Sequence, residues 1–110
     1  MSVDVKILGR LYADPIERKT SNDKIFAAFT FVTDAGAIAD DGKRKPLFIN
    51  INAWGKQGET IMKYCKKGTQ LLITGNVYDL SAYTKKTDGY PAASLNVTLE
   101  KFEFTSPKRE

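Results

Sequence analysis

Leu47-Phe48-Ile49-Asn50-Ile51-Asn52-Ala53-Trp54, followed by Gly55-Lys56 and by QGETIMKYCKK from Gln57 to Lys67, is the stretch that decides the fold. Its first eight residues alternate with period two, the signature of a strand with two unlike faces. Ile49, Ile51 and Ala53 share an aliphatic face suited to a core. Phe48, Asn50, Asn52 and Trp54 share the other, where two aromatics flank two amides. The next segment changes period. Ile61 and Cys65 stand four apart, Glu59 comes early, and Lys63, Lys66 and Lys67 come late, which complements a helix dipole. The spacing predicts a helix over 57–67 stopped at Gly68. Cys65 reads as a small core hydrophobe rather than a nucleophile.

Outward from this centre, the remaining segments read as strands. Val3 to Tyr12 alternates, with Val3, Val5 and Ile7 on one side and Lys6, Leu8 and Arg10 on the other. Asp14-Pro15 is a turn signal, and Thr20-Ser21-Asn22-Asp23 is a second that closes a hairpin. Ile25 to Thr33 (IFAAFTFVT) is β-branched and aromatic, a second strand. Ala35 to Lys45 reads as an exposed, mobile loop. Its Asp40-Asp41-Gly42 lacks the ligand spacing of a calcium loop. Leu71 to Leu80 is a fourth strand, and Gly75 inside it marks a bulge or barrel corner. Tyr83 to Tyr90 forms a hairpin tip turning at Asp88-Gly89. Ala92 to Phe104 is the fifth strand.

This order predicts an all-β domain with one short helix, a five-stranded barrel of β-β-β-α-β-β order. That is the order of the oligonucleotide/oligosaccharide-binding barrel (OB-fold). The domain is expected over 1–105, with 106–110 a short charged tail. In that fold, ligands meet the second and third strands between the first–second and fourth–fifth connections.

Charge agrees with a polyanionic ligand. The chain of 110 residues carries a net +4, unevenly spread. From Lys43 to Lys86 it is +7, with nine Lys/Arg against Glu59 and Asp79, and the remainder is −3. The same segment holds Phe48, Trp54, Tyr64, Tyr78 and Tyr83. Cations neutralise phosphates and flat rings accept unstacked bases, at about 1–3 kcal/mol per base. There is no histidine, so Ser-His-Asp and Cys-His nucleophiles and nearly all zinc sites are excluded. Asp40, Asp41 and Glu59 form no acid/base pair, and Gly55-Lys56 lacks the rest of a phosphate-cradling loop. The expectation is a non-enzyme without cofactor or metal. One cysteine forbids an intrachain disulfide and suits a reducing cytoplasm. No apolar run is long enough for a membrane span, and the N-terminus has no secretory pattern.

Several motifs also stand in a familiar order. Ile7-Leu8-Gly9-Arg10-Leu11, Ala13-Asp14-Pro15-Ile16-Glu17-Arg18, Trp54-Gly55-Lys56, Tyr64-Cys65-Lys66-Lys67-Gly68-Thr69-Gln70 and Gly75 resemble, over about residues 3–104, bacterial and phage single-stranded DNA-binding proteins. The resemblance implies a homotetramer, with a dimer as the alternative, wrapped by single-stranded DNA. It implies stacking at Trp54 and Phe48, and at Tyr83 near the fourth–fifth hairpin. Lys56 and Lys67 match phosphate-contacting positions, and Arg10 stands where the family often has Arg or Asn. Asn50 and Tyr78 stand where family members often carry arginine, and no aromatic occupies the loop position near Ala37-Ile38. The expected DNA-binding set is therefore Phe48, Trp54, Tyr78, Tyr83, Arg10, Asn50, Lys43, Arg44, Lys45, Lys56, Lys67, Lys85 and Lys86. Partner-recruiting members end in an acidic, Phe-terminated tip, whereas this sequence stops at Ser106-Pro107-Lys108-Arg109-Glu110. The tip is either missing from this stretch of sequence, or the protein is a short phage- or plasmid-type relative that does not recruit host repair proteins by that route. Two other functions compete. One is a tail-less assembly factor like primosomal replication protein N, a dimer. The other is an OB-fold protein-interaction module, whose affinity would depend little on salt.

Overall fold

Alternation and β-branching extend the chain in six places, and a single amphipathic segment coils. A computed structural model describes residues 1–84 and 91–105, without the side chains of 82–84 and 91–93. The elements are β1 (Asp4–Leu11), β2 (Ile16–Lys19), β3 (Ile25–Thr33), β4 (Leu47–Trp54), α1 (Gly55–Tyr64), β5 (Gln70–Thr84) and β6 (Pro91–Phe104). The sheet runs β1-β5-β6-β4-β3-β2. A further β1–β3 pairing, Arg10 to Val32 and Leu11 to Phe31, returns it to its start. The only parallel pair among the described strands is β4–β6, with Ile49 opposite Leu95 and Asn52 opposite Thr98. This is the connectivity of the OB-fold, with β2 added as a short ribbon on the edge of β3.

The five expected strands correspond to β1, β3, β4, β5 and β6. The extra strand, Ile16-Glu17-Arg18-Lys19, is four exposed residues after Pro15. It pairs with Ile25–Ala28 through the expected turn. There Asp23 N–H donates to Thr20 O at 3.0 Å, and Asp23 takes a left-handed φ of 64°.

Inward side chains fill the barrel. Leu11, Phe31, Ile51, Leu71, Ile73 and Val97 are essentially inaccessible, as is Ile61 of α1, which packs on β3 and β4. Each such burial contributes about 1.5–3 kcal/mol. β4 shows the predicted split, with Ile49, Ile51 and Ala53 buried and Phe48 and Asn50 exposed. Cys65 is buried as expected, and burial pushes its thiol up to about 11. Among the described residues no polar or charged side chain is buried, and no helix is long and apolar enough to cross a membrane.

Two bulges shape the β5–β6 ribbon. One falls at Thr74/Gly75, where Glu100 of β6 is the extra residue, and agrees with the bulge expected at Gly75. A Cβ there would stand 2.6 Å from both Thr98 O and Val97 Cγ1. The second lies between Val77 and Asp79. Val77 pairs with Val97 and Asp79 with Asn96, so Tyr78 is the extra residue.

The helix differs from expectation at both ends. It begins at Gly55, directly after the extended Trp54, so Glu59 lies beyond its first turn. It ends at Tyr64, and Lys63 alone of the three lysines occupies its last turn. Backbone bonding explains the early stop. Lys67 N–H donates to Asp14 Oδ1 at 2.7 Å and Gly68 N–H to Leu11 O at 2.9 Å, so these groups serve β1 and its following turn rather than a helix. Gly68, at φ +90°, turns the chain into β5 instead of capping the helix. The loop over 35–45 is exposed but is not open chain. Gly36 N–H to Lys45 O (3.1 Å) and Ala39 N–H to Lys43 O (2.7 Å) close it as a small hairpin. Of the tip expected over 83–90, Tyr83 and Thr84 instead extend β5, and 85–90, like the tail over 106–110, lie outside the described residues.

Candidate nucleic-acid interface

The outward faces of β3 and β4 pair Phe26 with Trp54, Ala28 with Asn52, Thr30 with Asn50 and Val32 with Phe48. Small and polar residues thus occupy the middle, and aromatics the two ends. Along β4 the ends are six residues apart, roughly 20 Å. The middle is a groove of about 330 Å³ floored by Ala28, Thr30, Asn50 and Asn52. Asp14, Ile16 and Arg18 form its wall on the β2 side.

Each end is an aromatic pair. Trp54 packs on Phe26 with centroids 4.5 Å apart and planes inclined by 33°. Phe48 meets Tyr12 edge-on at 5.1 Å and 82°. Phe48 and Tyr12 are each about half exposed, at 50% and 55%, which leaves ring surface for a base. Between them the amides are tethered. Asn52 Nδ2 donates to Tyr78 Oη at 2.6 Å, and Asn50 Nδ2 donates to Ser94 Oγ at 2.9 Å and to Asn96 Oδ1 at 3.0 Å.

Of the expected residues, Phe48, Trp54, Asn50 and Tyr78 are brought together on this face. Lys56 lies in the first turn of α1, two residues beyond Trp54 and exposed. Lys67 is exposed and its backbone is tied to Asp14 of the groove wall. Arg10 is outside the groove but in the same cross-strand row as Phe48, opposite Val32, where it lines a second hollow with Leu8, Val32, Asp34 and Gln70. Lys43, Arg44 and Lys45 sit on the loop hairpin. There Arg44 Nη1 donates to Gly36 O at 3.3 Å, so part of its guanidinium serves its own loop. In the loop near Ala37-Ile38, where the resemblance implied an aromatic and this sequence has none, Ile38 is bridged to Arg44 and 63% exposed. Tyr83 belongs to β5 opposite Ala92, but its side chain lies outside the described residues, as do Lys85 and Lys86 entirely.

The sequence reading missed Tyr12, Phe26 and Arg18. Phe26 becomes half of an aromatic pair only through the β3–β4 register. Arg18 had a local signal, since Ile16 and Arg18 alternate with Glu17 and Lys19 directly after Pro15.

A closed barrel of this connectivity is an OB-fold, and its groove of aromatic ends and amide floor carries groups able to stack on bases and hydrogen-bond their edges. The sequence profile of the "Single-strand binding protein family" matches residues 3–105, and the chain belongs to that family. It is 31% identical to the single-stranded DNA-binding protein of Bacillus cereus over 107 residues, which cover 94% of this chain and 60% of that one. It is 35% identical to that of Enterococcus faecalis over 74 residues, 67% of this chain and 39% of that one. Single-stranded DNA-binding protein A of Bacillus subtilis is 29% identical over 94% of this chain and 59% of its own. The chain therefore spans about 39–60% of the length of these relatives. A small single-stranded DNA-binding protein from Streptomyces coelicolor shares the fold, with a TM-score of 0.70 over 94% of both chains at 13% identity.

Proposed function

We propose that this chain is a sequence-tolerant single-stranded DNA-binding protein that coats and protects exposed strands in replication, recombination or repair. The observation that carries the reading is the groove between the Phe26–Trp54 and Tyr12–Phe48 pairs. Every base has a π-face, so stacking at both ends holds a strand without selecting its sequence. Arg18 in the groove wall and the exposed Lys56 and Lys67 are the phosphate contacts of this reading, with Lys43–Lys45 and Lys85–Lys86 as further ones. Binding of this kind requires no catalysis. We assign the protein to the cytoplasm and to a homotetramer. Light scattering tests the assembly, and a dimer would favour the reading as an assembly factor like primosomal replication protein N.

Trp54 is the sole tryptophan and reports on its own site. Titration with oligo(dT) is expected to quench its fluorescence strongly, while duplex DNA leaves it unchanged. The logarithm of the affinity should fall linearly with log salt, by about 0.7 for each phosphate contacted. No quenching, together with no change in anisotropy of a labelled oligonucleotide, would overturn the reading and favour a protein-interaction module.

A further inference from the structure

An acidic side chain, Asp79, stands beside the amides of the groove floor. Strict alternation along β5 would turn Asp79 inward beneath Val77, but the bulge at Tyr78 turns it outward, opposite Asn96. There its Oδ2 accepts from Ser81 Oγ at 2.6 Å and from Asn96 Nδ2 at 2.9 Å. A carboxylate only accepts hydrogen bonds. Asn96 must therefore direct its NH₂ at Asp79 and its Oδ1 away, toward β4. Asn50 in turn must donate its Nδ2 to that oxygen, at 3.0 Å, and it shares the same group with Ser94 Oγ. The chain of donors thus has one direction across β5, β6 and β4, fixed at its acidic end. It leaves Asn50 Oδ1 without a protein partner among the described residues, on a side chain that floors the groove.

We infer that Asp79, acting through Asn96, is a positioning residue that makes Asn50 present its carbonyl oxygen to the nucleobase, where it accepts an N–H from the base edge. The inference rests on the single-strand reading and gives its central subsite a polarity. Thymine N3–H, the exocyclic amino groups of cytosine and adenine, and guanine N1–H all satisfy an acceptor. One fixed oxygen therefore serves every natural base while requiring that a donor be present. The Asp79 carboxylate also disfavours a phosphate over this strip, which favours bases there.

The test compares oligo(dC) with an oligonucleotide of 2-pyrimidinone, which is cytosine without its 4-amino group. It keeps a stacking face but has no N–H. The wild-type protein should bind oligo(dC) about fivefold more tightly, the effect of one net hydrogen bond. Asn50→Leu should bring the ratio near one. Asp79→Asn gives Asn96 a partner that can donate as well as accept, so the amides lose their fixed direction. It should bring the ratio to about twofold or less, while affinity for both oligonucleotides rises because a negative charge is gone. Melting temperature confirms that both variants fold. An Asp79→Asn protein that binds both more tightly at an unchanged ratio would show a purely electrostatic role and overturn the inference. Equal wild-type affinity for the two would overturn it while leaving the single-strand reading intact. No binding of either at low salt would overturn both.

Discussion

Trp54 lies over Phe26 across the β3–β4 pair, ring centroids 4.5 Å apart, at the point where the strand gives way to α1. The pairing holds the indole in place before any base arrives, so little side-chain entropy is lost on stacking. Trp54→Ala should weaken binding of oligo(dT) by about 1–3 kcal/mol. It should cost the fold about 0.5–1.5 kcal/mol from the lost aromatic pair. Anisotropy of a labelled strand measures the first and thermal denaturation the second. A variant that no longer folds would place Trp54 in the core.

Phe48 is more exposed than Trp54 and meets Tyr12 only by its edge. Phe48→Ala should therefore reduce strand affinity by about 1–3 kcal/mol with a smaller loss of stability than Trp54→Ala. The same two measurements on both variants rank them.

Arg18 tests the position of the sugar-phosphate chain. Arg18→Ala should weaken binding alike for oligo(dT) and oligo(dC), and should flatten the log-affinity against log-salt slope by about 0.7, one phosphate contact. An unchanged slope would remove Arg18 from the path.

Gly75→Ala tests the bulge at Thr74/Gly75. The added methyl would stand 2.6 Å from Thr98 O and Val97 Cγ1, backbone and core rather than a flexible tip. Overpacking of this kind costs about 1–3 kcal/mol, seen as a lower denaturant midpoint. Gly75 faces inward, so residual folded protein should bind DNA as before.

Cys65 carries a pH dependence whose sign follows from burial. Its thiol sits at about 11 in the fold against 9.0 for the exposed group. Below pH 9 both states hold the proton and stability is unaffected. From pH 9 to 11 the unfolded chain releases it while the folded one does not, so stability falls across that window. Cys65→Ala should flatten the fall in a urea titration series. At pH 8 the native thiol should resist alkylation until denaturant is added.

The sequence by itself determined what depends on neighbours along the chain. Period two placed Ile49, Ile51 and Ala53 in the core and Phe48, Asn50, Asn52 and Trp54 outside it, because a strand turns successive side chains to opposite faces. The order of strands around one helix led to the barrel, and the motifs led to the family. Tertiary structure decided what depends on register between distant segments. The β3–β4 pairing gave Trp54 its partner Phe26, and the attachment of β2 brought Arg18 to the groove. The claims of Leu11 and Asp14 on the N–H groups of Gly68 and Lys67 ended the helix at Tyr64 rather than at Lys67. The bulge at Tyr78 is the sharpest case. Local alternation sends Asp79 inward, but a carboxylate is costly to bury unpaired. One extra residue turns it out to Asn96, and with it the direction of every amide on the groove floor that leads to Asn50.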